Sequence, residues 1–149
     1  MDLSLTPEQE MLKTAVRRFV QQEYPKETLL QIASPTESTP DAPWEQLTQT
    51  GWLGILIPTE YGGEGGSFTD AGVLFEELGR GPVPGPHISS AVLAALTLLE
   101  GGTEEQKQFW LPRLASGEVM VGISVTEPGI GSNVAGARCK AEKAVVDGE

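Results

Sequence analysis

The residues of this chain with the greatest chemical potential lie together in VGISVTEPGIGSNVAG, Val121–Gly136. A short β-branched run stops at Glu127-Pro128 and opens into small residues punctuated by Gly129, Gly131 and Gly136. Glycine lets backbone N–H groups come close to a ligand, so such a strand-to-loop passage suits an anion or a flat ring. Two nucleotide motifs come near. From Gly131, GSNVAGAR has the glycine spacing of a P-loop, yet Ala137-Arg138 stands where Lys-Ser/Thr must reach phosphate and Mg²⁺. From Gly129, GIGSNV opens like a dinucleotide fingerprint, but Val134 occupies the third glycine position and no helix is expected to follow. A plain wide turn stays open as the alternative.

Other residue types offer less. His87 is the only histidine, so a Ser-His-Asp triad would have to use it, and its place in a Pro/Gly connector fits a helix-entry residue better. The pairs Glu76-Glu77 and Glu104-Glu105 fall on helix positions expected to face solvent or a helix N-terminus, which argues against paired-carboxylate chemistry. Trp44, Trp52 and Trp110 read as core or interface residues. The Gly62–Gly66 cluster reads as a turn, and no Cys/His cluster supports a metal site.

The elements that must position the loop come from a chain of 149 residues, about one ordinary domain, with 39% hydrophobic and 21% charged residues. Twenty-one acidic residues against ten basic ones give a formal net charge of −11, and no Lys/Arg cluster is present to wrap a nucleic-acid backbone. The same charge suits an acidic membrane face poorly. Cys139 is the only cysteine, so no intrachain disulfide can form. The opening MDLSLTPEQE lacks the pattern of a secretory signal, and the expected setting is soluble and cytoplasmic.

Helical signals dominate up to Gly117. Thr6, Pro7 and Gln9 form a cap, a first-turn proline and a capping box, followed by an apolar stripe of Leu12, Ala15, Val16, Phe19 and Val20. KETLLQIA and DAPWEQLTQTG predict short helices on either side of a Pro/Ser/Thr-rich loop, with Gly51 as the second helix's stop. WLGILIP is a short buried segment before the glycine cluster. Ser67 and Asp70 frame a helix carrying Ala71, Leu74, Phe75 and Leu78 on one face, which Gly79 can end. HISSAVLAALTLLEGG is apolar nearly all round, as a helix covered on every side would be. Thr103–Gln106 is another capping box, opening a helix that Pro112 is expected to end or kink. Beyond Gly117, VMVGISV and the alternating ARCKAE read as strands, and Asp147-Gly148 as a hairpin turn with only Glu149 after it. The prediction is a mainly α chain: a helical domain over residues 1–117, then the first strands of an antiparallel β domain over 118–149 that is cut short.

Taken in order, GWLGILIPTEYGGEGGS, FEELGRG, EEQKQFWLPRLASGE and VGISVTEPGIGSNVAG strongly resemble the acyl-CoA dehydrogenase family of flavoproteins. The likeness covers essentially the whole chain. It corresponds to the family's N-terminal helical bundle domain and the beginning of its middle β domain. Members of that family remove the α-proton of an acyl-CoA thioester with a glutamate and pass the β-hydride to FAD. A trans-2-enoyl-CoA forms, and the electrons leave to an electron-transfer flavoprotein.

The resemblance implies specific roles here. Ile123, Val125 and Thr126 match the strand end that lies against the flavin, with backbone groups and the Thr126 hydroxyl bonding to the ring edge. Gly131 matches the close approach of the loop, and Ser132 a contact to flavin phosphate or the CoA arm. Asn133 stands where the family usually has aspartate, and Ile123 where many relatives have an aromatic residue. Glu127 matches a structural glutamate, not the base. The base belongs to a C-terminal helical domain without counterpart here, so no catalytic residue is expected in this segment, and the segment alone is expected to be inactive. An oligomer, homomeric or heteromeric, is implied. A second reading is a non-catalytic subunit or assembly module with the same fold that needs a partner chain. The helix Ile88–Leu99 is a plausible wall of the acyl pocket.

Overall fold

A computed structural model of the chain describes residues 4–32, 42–124 and 140. Helix α1 (Pro7–Glu23) starts as its sequence dictates. The Gln9 N–H donates to Thr6 Oγ1 at 3.3 Å, and the Thr6 N–H donates to Gln9 Oε1 at 3.0 Å. Val16 and Val20 are buried, Leu12 and Phe19 half-buried, and Ala15 exposed, so the buried stripe is narrower than expected. The cause is that α1 packs chiefly on one neighbour, α4 (Phe68–Arg80). Short helices α2 (Lys26–Ile32) and α3 (Ala42–Thr48) follow, and the loop expected at Ser34–Asp41 lies outside the described residues.

Gly51 comes three residues after α3 ends, with φ 77°, and it opens a 3₁₀ turn (Trp52–Gly54) instead of capping α3. Leu53–Ile57 is buried, as expected for that segment. A second 3₁₀ turn, Thr59–Tyr61, leads into the glycine cluster. There the chain doubles back so tightly that a Cβ on Gly63 would run into the Ile57 carbonyl. On the other side, a Cβ on Gly54 would lie 3.0 Å from Ala115 Cβ and 3.2 Å from Gly63 Cα. Small residues are therefore required where this turn meets helix α6 (Glu104–Ser116).

Helix α4 starts between Ser67 and Asp70 as expected, and the two form a capping box. The Ser67 N–H donates to Asp70 Oδ2 at 2.6 Å, and the Asp70 N–H to Ser67 Oγ at 3.2 Å. Gly79 does not end it: the helix continues to Arg80, which is bound to the preceding turn by Glu76 and Glu77. A helical glycine costs only about 1 kcal/mol, so the helix can run through Gly79.

The segment expected to be covered on all sides is covered on one. It is helical from His87, widens into a π turn over Ser89–Ala94, and continues as α5 (Ala95–Gly101). Ser90, Ala91, Ala94 and Ala95 are buried, whereas Ile88 and Leu93 are 52% and 48% exposed. Small side chains face the neighbouring helices and permit close approach, Val92, Leu96, Leu98 and Leu99 pack half-buried against the two cores, and only Ile88 and Leu93 point away. In helix α6 the proline does not end the helix. Pro112 sits inside it, and the helix runs on to Ser116, where Gly117 closes it at φ 73°. Leu111, Leu114 and Ala115 are buried on both sides of the proline, and Arg113 Nη1 donates to the Phe109 carbonyl at 2.6 Å beside the interrupted ladder.

No strand occurs among the described residues, and Val119–Ser124 runs on from α6 as an irregular segment. A two-residue period survives there in burial: Val119, Val121 and Ile123 are half-buried, and Met120, Gly122 and Ser124 are exposed. The expected strand at ARCKAE and the turn at Asp147-Gly148 lie outside the described residues, Lys140 apart.

Candidate functional site

The segment leading to the glycine-rich loop is tied down step by step as it leaves α6. Trp44 Nε1 donates to the Gly117 carbonyl at 2.8 Å, a buried bond across 73 positions. Gly117 needs its glycine twice, for its positive φ and because a Cβ would run into the Thr48 side chain. The Val119 N–H donates to the Arg113 carbonyl at 3.3 Å, and the Val121 backbone meets the Ser90 hydroxyl. These ties bring Val121 and Ile123 over α5 and α6.

Together they line an apolar groove of about 330 Å³ with Ala94, Thr97, Leu98 and Trp110. No lining side chain is charged. The one hydroxyl, on Thr97, donates to the Leu93 carbonyl of its own helix at 2.7 Å. Trp110, 39% exposed, forms a wall instead of a core anchor, and its ring meets Phe109 edge-on at 4.8 Å. Among the expected cofactor residues, Ile123 is thus on the groove, while Val125, Thr126, Gly131 and Ser132 lie outside the described residues, as do Glu127 and Asn133. Ala94, Thr97 and Leu98 belong to the helix anticipated as a pocket wall. Trp110 and Val121 were not anticipated as wall residues. Their signal was slight: a tryptophan beside Phe109, and the first apolar position of an alternating run.

Two larger clefts share no lining residue with this groove. One, of about 500 Å³, lies between α1, α2 and the end of α4 beside Arg17, Tyr24 and Arg80. The other, of about 760 Å³, runs between α1 and the Trp52 turn past Met11 and Phe19. In the first, Glu77 contradicts its expected place in solvent: it is 1% exposed. Arg17 Nε and Nη2 donate to its two carboxylate oxygens at 2.9 and 2.8 Å, and Arg80 Nε donates to Oε1 at 3.1 Å. Its spacing from α1 could not be read from the α4 sequence alone. The Arg17 hydrogen bonds and the charges of both arginines hold this carboxyl below the usual glutamate range despite burial. A glutamate pinned in this way is a structural tie between α1 and α4 and not a proton acceptor.

His87 begins its helix, as expected, and stacks on Phe75 at 5.8 Å between ring centroids. Burial lowers its pKa, and its Nδ1 finds no hydrogen-bond partner among the described residues. Those residues contain no group of three or more His, Cys, Asp or Glu able to hold a metal ion, and no helix long and apolar enough to cross a membrane.

Residues 6–118 match the acyl-CoA dehydrogenase N-terminal domain. The chain belongs to the acyl-CoA dehydrogenase family. It is 33% identical over 155 aligned positions to a probable acyl-CoA dehydrogenase, YngJ, of Bacillus subtilis (strain 168), covering 100% of this chain and 40% of that protein. Among solved structures it is similar to the ChsE4-ChsE5 complex from Mycobacterium tuberculosis, with TM-score 0.74 and 33% identity over 93% of this chain and 35% of that one. It is also similar to an acyl-CoA dehydrogenase complexed with FAD from Bacillus anthracis, with TM-score 0.72 and 29% identity over 90% of this chain and 23% of that one. The chain spans 33–40% of the length of the first curated relatives it matches.

An uncharged wall of Ala94, Leu98, Trp110, Val121 and Ile123 is compatible with a flat aromatic ring or an alkyl chain. It has no group to hold a diphosphate, so that part of FAD would rest on other residues.

Proposed function

We propose that this chain is the N-terminal part of an FAD-dependent enzyme that dehydrogenates an acyl-CoA thioester at its α and β carbons to a trans-2-enoyl-CoA. The observation that carries the reading is the position of Ile123: the one expected cofactor residue within the described region lies on an uncharged groove, in a chain of this family. FAD, if bound, would supply the acceptor for the β-hydride. The work of this chain is to wall the site. Ala94, Leu98 and Trp110 would exclude water from one side, Val121 and Ile123 would line the site, and the backbone of Val125 and the Thr126 hydroxyl would bond to the ring edge, as the resemblance implies. Gly131 and Ser132 approach the phosphates or the CoA arm. Residues 1–117 form the helical domain and 118–149 begin the β domain. No residue here corresponds to the family's base, which belongs to a C-terminal helical domain; Glu77 is already tied to two arginines, and Glu127 matches a structural position. An electron-transfer flavoprotein takes the electrons, and the protein works as an oligomer, a reading favoured by the likeness to the ChsE4-ChsE5 complex.

The test is anaerobic. The whole protein carrying this chain, loaded with FAD, is titrated with straight and branched acyl-CoAs while the flavin absorbance is followed. Bleaching by at least one thioester is expected, and none from the 149-residue chain alone under the same conditions. A whole protein that takes up no flavin, or holds it and bleaches with no thioester, overturns the reading and favours a module without catalysis of its own.

A further inference from the structure

Within HISSAVLAAL, Ser90 is a polar residue that ends up 2% exposed. It lies in the π turn Ser89–Ala94, one turn before Ala94 on the side of the helix that lines the groove. A hydroxyl in a helix ordinarily bonds back to a carbonyl of its own preceding turn, as Thr97 does to Leu93. The Ser90 hydroxyl instead spans 31 positions to a single residue. It accepts from the Val121 N–H at 2.6 Å and donates to the Val121 carbonyl at 3.3 Å. One side chain therefore meets both backbone groups of Val121, as a neighbouring strand would. The turn it stands on is a π turn, a geometry that recurs at functional sites.

The bond acts on register. Along 119–124, burial alternates with period two, so a shift by one residue would turn Ile123 off the groove and put Gly122 or Ser124 in its place. Such a shift would also strip both partners from a buried hydroxyl, which is costly. Gly117 and Val119 are fixed nearer α6, and Val121 is the last tether before Ile123.

We propose that Ser90 is a positioning residue for the flavin site: its hydroxyl sets the register of 119–124 and thereby selects Ile123 as the side chain presented there. The role rests on the functional reading above, but the tether itself does not. Ser90→Ala removes one oxygen and adds no bulk. In the flavin-loaded whole protein it is expected to speed amide exchange at Val121 by roughly tenfold. It is also expected to move the visible flavin bands and the reduction potential, which a bond serving only the fold of the helix would not do. Ser90→Thr, which returns the hydroxyl, is expected to restore both. Unchanged exchange in Ser90→Ala overturns the proposal. So does faster exchange with unaltered flavin bands and potential, or a Ser90→Thr protein that behaves as Ser90→Ala. If the wild-type protein holds no flavin, the functional reading falls and the positioning role with it. Val121 exchange then still reports the tether, so the two failures are told apart.

Discussion

The two cores of this chain are built differently. One, around α1, α3 and α4, gathers large buried side chains, Val16, Val20, Trp44, Leu47, Leu74 and Leu78 among them, and is reinforced by the Arg17–Glu77–Arg80 cluster. The other, between α5 and α6, is made of Ile57, Ala94, Ala95, Leu111, Leu114 and Ala115. Half of its buried members are alanines. It adjoins the open groove, and Leu93, Phe109, Trp110 and Met120 are exposed on the same helices and the segment that follows. Large side chains fill the first core, although the two larger clefts open beside it. Alanines let helices approach closely but supply little buried area per residue, so the second region holds its shape by tethers and small-residue contacts. The candidate site is on the less deeply packed side.

The seam between the two regions should be the most sensitive place. Gly63→Ala drives a Cβ into the Ile57 carbonyl, and backbone cannot yield as a side-chain tip can. A loss of roughly 4 kcal/mol or more is expected in denaturant unfolding, enough to disturb both regions together. A well-folded Gly63→Ala protein of near wild-type stability would show that the seam is slack. Next, Leu74→Ala in the large core is expected to cost about 3 kcal/mol, whereas Leu98→Ala at the half-buried groove wall should cost about 1 kcal/mol. Equal costs would erase the contrast between the large core and the groove wall.

Glu77→Gln tests the ionic tie of the first region. It keeps the side chain's size but removes a buried charge facing two arginines, at an expected cost of about 1.5–3 kcal/mol at neutral pH. Since the folded carboxyl titrates below its ordinary value of 4.5, its contribution is complete above that pH and is lost as pH falls through the lower folded value. Wild-type stability should therefore drop on acidification below about 4.5, and the drop should be shallower in Glu77→Gln. Parallel pH profiles would rule out that role. An effect as small as that of Leu98→Ala is expected from Thr103→Ala, which removes the α6 cap at about 1 kcal/mol. Because α6 carries Trp110, amide protection should fall in its first turn and not in α1; a matching fall in both would mean that the regions unfold as one.

Local structure was legible wherever it depends on neighbours in the chain. The capping boxes at Thr6 and Thr103, and the helix start at Ser67, were readable because each depends on residues three apart. Helix ends were less so: Gly79 and Pro112 look like stops, but Arg80's ion pairs and the buried flanks of Pro112 carry each helix further. The sequence by itself determined the family, the helical character of the chain up to Gly117, and the position of Ile123 as a residue to watch. Only the tertiary structure decided that Glu77 is buried, that the apolar helix after His87 is covered on one side, and that Ser90 reaches Val121 instead of its own helix. The reason is the same in each case. Those outcomes depend on a partner 60, 31 or more positions away, and no local pattern encodes which partner arrives.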